Sequence, residues 1–158
     1  MELLIRNALK EDMPSVLQLI VELAVFEKEP DAVDISVEDL EQAGFGDDKQ
    51  FECFVAEVDG DIVGMALVYF RFSTWKGRTV HLEDLVVKEN MRGKGVGKAL
   101  YRKVMEYAAK QGVKRVNWVV LDWNKPAIDF YEQTGANILS NWWLVEMEEE
   151  ALKKYIEQ

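Results

Sequence analysis

The stretch Leu85-Val86-Val87-Lys88-Glu89-Asn90-Met91-Arg92-Gly93-Lys94-Gly95-Val96-Gly97-Lys98-Ala99-Leu100 decides the fold of this 158-residue chain. An apolar β-type segment ends, a basic glycine-rich loop follows, and a helical pattern begins directly after it. Three glycines within five residues let backbone N–H groups approach a ligand without interference from Cβ atoms. With the positive end of the new helix and the cations Arg92, Lys94 and Lys98, they predict a site for phosphate oxygens.

Two common phosphate-binding motifs fail on their spacing. A nucleoside-triphosphate P-loop needs four residues before its Gly-Lys-Ser/Thr, whereas three residues separate Gly93 from Gly97 and Ala99 replaces the hydroxyl. The dinucleotide fingerprint needs a third glycine where Leu100 stands. What remains is the loop Arg92-x-x-Gly95-x-Gly97, which is either a pyrophosphate cradle or simply a glycine-rich turn from a strand into a helix.

A second motif, residues 124–136, has the features of a short helix with both ends marked. Asn124 suits the N-cap, Pro126 the first turn, and Gly135 the left-handed position after the last turn. Tyr131 shares one face of this helix with the other residues at helical spacing, which are Ala127, Phe130 and Thr134. Its ring is therefore either a half-buried core aromatic or a functional group.

Composition predicts one globular domain over residues 1–158, because 49% of the residues are hydrophobic and 30% are charged. The net charge of −10 argues against nucleic-acid binding. The amino end, Met1–Asn7, lacks a signal-peptide core, and the most apolar stretch, Ile62–Phe70, is too short to cross a membrane. We therefore expect a cytoplasmic protein without membrane or nucleic-acid partners.

The chain holds a single cysteine and a single histidine, which excludes a disulfide framework and a Cys/His zinc cluster. Cys53 alternates in phase with Phe51 and Val55, which indicates a buried core thiol. His81 has no evident partner in the sequence and receives no role. We expect no metal site.

The periodicity predicts a mixed α/β fold (α+β in some schemes) with a mostly antiparallel sheet, helices on both faces, and parallel crossovers near the middle. The predicted strands are Leu3–Ala8, Phe51–Val58, Ile62–Phe72, Arg78–Val87, Val113–Leu121 and Trp142–Glu148. The predicted helices are Glu11–Glu27, a short one from Ser36 to Gly44, Val96–Gln111, one starting at Asn124, and Glu149–Ile156.

Two adjacent carboxylates interrupt the strand that precedes the glycine loop. Strict alternation over Leu82–Val87 places Asp84 on one face of the sheet and Glu83 on the other, each among aliphatic neighbours. A carboxylate on an apolar face is usually paired or used in function. The alternative is that one carboxylate lies in water near the strand end and the other pairs with an arginine.

Together the two motifs resemble the GNAT family of acetyltransferases, and the resemblance covers nearly the whole chain. Within that family the chain is most similar to the spermidine/spermine N-acetyltransferase group. The matching segments are Glu22-Leu23-Ala24, Glu41-Gln42-Ala43-Gly44-Phe45-Gly46, Leu82-Glu83-Asp84, Arg92-Gly93-Lys94-Gly95-Val96-Gly97 and Trp123-Asn124-Lys125-Pro126. The resemblance implies an enzyme that acetylates a small cationic amine, a diamine or polyamine such as spermidine or spermine, by direct attack on acetyl-CoA, without a metal; lysine or thialysine is the alternative acceptor.

The same resemblance implies roles for individual residues. Tyr131 would be the general acid beside the sulfur, and Glu83 the base, acting through water. The backbone of Leu85, Val86 and Val87 would bind the pantetheine arm and supply the oxyanion donor. The remaining cofactor contacts would come from Arg92, Gly93, Lys94, Gly95, Val96, Gly97, Lys98, Asn124, Lys125, Pro126, Ala127 and Tyr131. The acceptor pocket would consist of Phe26, Glu27, Trp75, Glu83, Asp84, Asn117, Trp118 and Val119.

Three departures from the polyamine pattern bear on the acceptor. Ser73 stands where an Asp is expected, Ser140-Asn141 where a Glu is expected, and Phe26 where a Tyr is usual. Loss of two countercharges favours an acceptor shorter than spermidine or spermine, such as a diamine, lysine or thialysine. Acetylation of a protein amine and a non-catalytic acyl-CoA sensor remain alternatives. The apolar segment Trp142–Val145 either completes the core or pairs two copies in a homodimer.

Overall fold

The computed structural model describes the whole chain, Met1–Gln158, and divides it into two compact units, Met1–Val119 and Val120–Gln158. The first unit contains all five strands and three α-helices, and the second contains two α-helices. None of the helices combines the length and apolar composition needed to span a bilayer.

The sheet of the first unit has the strand order β1-β2-β3-β4-β5. All neighbouring pairs are antiparallel except β4 and β5, which are parallel and connected through α3. The strands are β1 (Leu3–Asn7), β2 (Glu52–Val58), β3 (Asp61–Ser73), β4 (Gly77–Val87) and β5 (Val116–Asn117). This arrangement confirms the predicted mixed, mostly antiparallel sheet.

Helices cover both faces of this sheet, as predicted. The helices of the first unit are α1 (Met13–Phe26), α2 (Val37–Phe45) and α3 (Val96–Lys110). One buried cluster joins α3 to the sheet through Leu100 and Val104, and a second joins α1 and α2 to the opposite face through Leu19 and Leu40. Cys53 belongs to the second cluster, and burial raises the pKa of its thiol to about 12, which confirms a core cysteine.

Local sequence signals fix where these helices begin. A reciprocal capping box starts α2, because Ser36 Oγ accepts from the Asp39 N–H at 3.1 Å and Asp39 Oδ2 accepts from the Ser36 N–H at 2.8 Å. Helix α3 starts directly after Gly95, whose φ of +84° lies in the left-handed region that favours glycine. The glycine loop therefore leads straight into the amino end of α3.

Two predicted strands are wrong in extent or existence. Of the predicted strand Val113–Leu121, only Val116–Asn117 pairs, with Val80 and His81 of β4. Residues 142–148 form no strand, and Trp143 and Val145 are 89% and 88% exposed. A strand exists only where a neighbour receives its hydrogen bonds, and the second unit offers only the helices α4 (Lys125–Gln133) and α5 (Glu149–Ile156).

Candidate active site

Glu83 is the extra residue of a β-bulge in β4. Asp84 is the cross-strand partner of Leu67 and Leu82 that of Val68, so Glu83 has no partner in β3. The bulge shifts the alternation by one position, because Leu82 and Leu85 both pack into the cluster on the α3 face. Glu83 and Asp84 consequently lie on the same side of the sheet, the side covered by α1 and α2. The prediction that they occupy opposite faces is wrong.

Both carboxylates line a cleft of about 440 Å³ beside α1 and α2. Its volume lies within the ordinary range of small-molecule sites. Three carboxylates and no lysine, arginine or histidine line it, alongside six apolar side chains. The lining is Ile20, Ile35, Asp39, Leu40, Ala43, Gln50, Phe51, Leu67, Tyr69, Glu83 and Asp84. Charge and shape therefore suit a small cation with a hydrocarbon body.

The two neighbouring carboxyl groups titrate in opposite directions. Burial raises the pKa of Asp84 to about 6, and the charges of Glu83 and Glu27 act in the same direction. The pKa of Glu83 is lowered, first by its contact with His81 and then by the Tyr69 hydroxyl, against an opposing effect of burial. Two such groups with separated pKa values are a common arrangement in acid–base sites. Glu83 is thus ionised at neutral pH, and Asp84 gains its charge only above about pH 6.

A hydrogen-bonded group formed by three strands surrounds Glu83. The Tyr69 hydroxyl donates to Glu83 Oε2 at 3.0 Å, and His81 Nε2 lies 3.4 Å from the same oxygen. The other ring nitrogen of His81, Nδ1, lies 3.2 Å from an Arg71 guanidinium nitrogen and 3.1 Å from Asn117 Oδ1. This group was not predicted from the sequence. The available signal was the hairpin register, which places Tyr69 opposite His81.

The glycine loop has the geometry of an anion site. Gly93 and Gly95 adopt φ values of +73° and +84°, and the backbone N–H groups of residues 93–95 donate to no atom of the chain. They adjoin the first turn of α3, whose N–H groups have no partner within the helix. Arg92 Nε donates to the Val87 carbonyl at 3.2 Å, and its guanidinium lies 5.2 Å from the centre of the Phe26 ring. These contacts hold the loop against the end of β4.

The outer edge of β4 is open beside this loop. β5 pairs only with Val80 and His81, so strand pairing on that edge stops before Leu82. The backbone segment Leu85–Val87 therefore has no strand partner on its outer side. An extended ligand with amide groups, such as pantetheine, has hydrogen-bonding partners available there.

The predicted acceptor residues are only partly brought together. Glu83 and Asp84 line the cleft, and the charge of Glu27 acts on Asp84. Phe26 contacts Arg92 of the glycine loop instead of the cleft. Trp75 lies in the β3–β4 turn and is 76% exposed.

The three predicted acceptor residues near β5 separate from one another. Asn117 contacts His81 through its amide oxygen. Trp118 packs edge-on against Tyr101 of α3, with ring centres 5.7 Å apart, on the face away from the carboxylates. Val119 lies beyond the end of β5 and is 65% exposed.

The predicted residues on α4 belong to the second unit. Asn124 occupies the N-cap position and Pro126 stands in the first turn, both as predicted, although the Asn124 side chain makes no capping bond. Lys125 Nζ donates to Asp129 at 2.9 Å. Tyr131 is half-buried, with its ring centre 5.7 Å from that of Phe130. Ala127, one helical turn before Tyr131, is also half-buried.

Comparison with known proteins decides the family. The sequence model described as the acetyltransferase (GNAT) family matches residues 13–136. This chain belongs to the GNAT family. It is accordingly an N-acetyltransferase, and members of this family use acetyl-CoA as co-substrate, which fits the glycine loop and the open edge of β4.

Individual relatives match over most of the GNAT chain. The thialysine N-epsilon-acetyltransferase of Bos taurus is 41% identical over 162 residues, covering 96% of this chain and 95% of the relative. Spermidine/spermine N(1)-acetyltransferase-like protein 1 of Homo sapiens is 34% identical, covering 94% of this chain and 23% of the relative. An integron cassette protein from the mobile metagenome of V. cholerae superposes with a TM-score of 0.81 at 22% identity, over 100% of this chain and 99% of that one. This last likeness supports the fold alone.

Proposed function

We propose that this GNAT enzyme transfers the acetyl group of acetyl-CoA to the terminal primary amine of a small cationic acceptor, with a lysine-type amine such as thialysine as the first candidate. The observation that carries this proposal is the cleft in which Glu83 and Asp84 lie side by side, because no lysine, arginine or histidine lines it. No hydrogen bond or ion pair within the protein reaches the Asp84 carboxylate. An acceptor ammonium would supply the missing positive charge.

The chemistry needs few groups from the protein. The acceptor amine has a pKa of about 10 by comparison with lysine, so a base must remove one proton before it attacks. Glu83 takes that proton through a water molecule, and the free amine adds to the thioester carbonyl. A backbone N–H in the segment 85–87 stabilises the oxyanion. The carbon–sulfur bond then breaks, and Tyr131, the acid that the family resemblance implies, gives its proton to the departing thiolate. The new amide nitrogen loses its extra proton to water, which returns a proton to Tyr131, and Glu83 releases the first proton to solvent.

The cofactor residues are proposed on the same grounds. The N–H groups of the loop from Gly93 to Lys98 and the charge of Arg92 would bind the pyrophosphate, and Leu85–Val87 would pair with the pantetheine arm. The residues Asn124–Ala127 would contact the cofactor from α4, as the family resemblance implies. The family match covers residues 13–136, which include part of the second compact unit, and on this ground we propose one catalytic domain over residues 1–158.

The acceptor choice rests on two observations. The 41% identical relative is named for thialysine, whereas the relative named for spermidine and spermine is 34% identical. This chain also carries Ser73 and Ser140-Asn141 where the polyamine pattern has acids, so it offers fewer countercharges for a distant second ammonium. Spermidine and spermine remain the second candidate acceptors.

The test is thiol release from acetyl-CoA with thialysine, lysine, putrescine, spermidine, spermine and a basic peptide. We expect thialysine or lysine to have the highest kcat/KM, and Glu83→Gln to lower it by roughly 10²–10⁴-fold, the usual contribution of a general base. Glu106→Gln is the matched control, because Glu106 only pairs with Arg102 on the surface of α3. No turnover with any amine would refute the enzymatic proposal, and a preference for spermidine or spermine would select the second candidate.

We further propose that the enzyme acts as a homodimer. The support is the run of exposed apolar residues Trp143, Leu144 and Val145, of which Trp143 is 89% exposed. Exposed apolar patches favour association. Light scattering at micromolar concentration should give twice the 18.2 kDa chain mass, and a particle of one chain mass would reject the dimer.

A further inference from the structure

His81 is the one histidine of the chain, is 7% exposed, and has both ring nitrogens in contact with polar groups. Nε2 faces Glu83 Oε2 at 3.4 Å. Nδ1 faces the Arg71 guanidinium at 3.2 Å and Asn117 Oδ1 at 3.1 Å. A buried imidazole that contacts β3, β4 and β5 at once has a restricted ring orientation. These neighbours therefore determine which ring nitrogen carries the proton.

The neighbours favour one neutral tautomer of His81. The Arg71 guanidinium is always charged and only donates hydrogen bonds, so a bond to Nδ1 requires Nδ1 to be the acceptor. The ring proton then lies on Nε2 and points at the Glu83 carboxylate. The other tautomer would direct the Nδ1 proton at the guanidinium and the Nε2 lone pair at a carboxylate, two repulsive contacts. In the favoured tautomer only the Asn117 amide must turn, which exchanges its oxygen and nitrogen.

We propose that His81 is a positioning residue of the acetyl transfer: its Nε2–H, fixed by the Arg71 contact at Nδ1, holds the Glu83 carboxylate in line for the acceptor proton. This inference rests on the proposed function, in which Glu83 is the base. The Tyr69 hydroxyl donates to the same carboxylate oxygen. The second oxygen, Oε1, is left available for the water that carries the proton from the amine.

The arrangement also keeps this contact when His81 gains a proton. A proton on Nδ1 breaks the bond from Arg71, and the Asn117 amide then turns back so that Oδ1 accepts that proton at the 3.1 Å separation seen in the structure. The Nε2–H toward Glu83 exists in both states. The charged or titratable groups around the ring are Tyr69, Arg71 and Glu83, all on β3 and β4, and the partner on β5 is the neutral amide of Asn117. Glu83 therefore has a donor on Nε2 in either protonation state of the ring.

The first test reads the proton on His81 directly. Because the chain has one histidine, ¹⁵N-histidine labelling gives a single pair of imidazole resonances. We expect the Nε2–H tautomer at pH values where the ring is neutral, and loss of that preference in Arg71→Gln. An Nδ1–H tautomer in the unaltered protein would overturn the proposal. This measurement needs no turnover, so it is independent of whether the acceptor has been identified.

The second test separates positioning from a purely structural role. His81→Leu should lower kcat/KM on the order of tenfold, which is less than the effect of removing the base itself. It should also move the acid limb of the pH profile to higher pH, because the Glu83 carboxylate loses a donor that favours its charge. His81→Gln, whose amide can donate at the position of Nε2, should restore both properties in part. Tyr69→Phe, which keeps the ring and removes the second donor, should move the acid limb in the same direction.

Two outcomes would overturn the positioning role. The first is an unchanged acid limb in folded His81→Leu and Tyr69→Phe. The second is a His81→Gln variant no better than His81→Leu in both kcat/KM and acid limb. If His81→Leu fails to fold, Tyr69→Phe and His81→Gln decide the matter. If no amine is acetylated at all, ¹³C titration of the Glu83 carboxyl in the same variants replaces the pH profile.

Discussion

Replacement of Asp84 by asparagine should stabilise the free protein at neutral pH while impairing acceptor binding. Asp84 is half-buried beside two other acids, Glu83 and Glu27, and has no hydrogen-bond donor of its own. Its ionised form is therefore disfavoured in the folded state relative to the unfolded chain. An uncharged residue of the same shape removes this penalty, and it also removes the charge that we propose binds the acceptor ammonium.

The magnitude follows from the change in pKa. The pKa of Asp84 rises from 3.8 to about 6, and about 1.4 kcal/mol per pKa unit gives an upper limit of roughly 3 kcal/mol. Because the folded state holds its proton more tightly, the free energy of unfolding falls as pH rises from about 4 to about 6 and stays reduced above that. Asp84→Asn should remove this fall. For a chain of this length the gain corresponds to roughly 6–12 °C in Tm at most.

The assay is thermal unfolding of both proteins at pH 7.5 and at pH 4. We expect Asp84→Asn to unfold at a higher temperature at pH 7.5 and at nearly the same temperature at pH 4. Glu83→Gln is the matched control, because the pKa of Glu83 is lowered and its charge is favoured in the folded state. It should not stabilise at either pH. Equal stabilisation of Asp84→Asn at both pH values, or none at pH 7.5, would refute the reasoning.

Three further predictions address the other parts of the site. Tyr131→Phe should lower turnover roughly 10²–10⁴-fold, while calorimetry should show that coenzyme A still binds. The control Tyr155→Phe, on α5, should change neither property. Full turnover of Tyr131→Phe would show that Tyr131 is not the general acid. Gly95→Ala should raise KM for acetyl-CoA, because a side chain at a φ of +84° costs roughly 1–2 kcal/mol of backbone strain in the loop. The control Gly60→Ala, at a φ of +88° in the β2–β3 turn, should cost similar strain but leave KM for acetyl-CoA unchanged. Ala43→Leu should narrow the cleft and raise KM for the acceptor, with KM for acetyl-CoA unchanged. If KM for the acceptor is the same in this variant as in the unaltered enzyme, the cleft is not the acceptor site.

Most elements of the first unit could be predicted because their signals are local. Apolar residues at helical spacing, the Ser36–Asp39 capping box and the glycine at the start of α3 each act within a few residues. The segment Trp142–Glu148 shows the limit of such signals. Its composition favours a strand, but a strand forms only beside a partner, and the sequence does not show whether one is present.

The bulge at Glu83 shows a different limit, since its signal was present in the sequence but was interpreted with the wrong period. The residues of β4 that pack toward α3 are Val80, Leu82, Leu85 and Val87, so their spacing is two, three and two residues. A step of three in a strand with period two indicates one inserted residue.

Strict alternation would separate Glu83 from Asp84 and leave each with an independent environment. With the insertion, the two carboxylates share one cleft, where each charge opposes the other. The His81–Tyr69 pair then stabilises the charge of one, while burial disfavours the charge of the other. The single inserted residue thus accounts for one carboxylate that is ionised at neutral pH beside another that gains its charge only near pH 6.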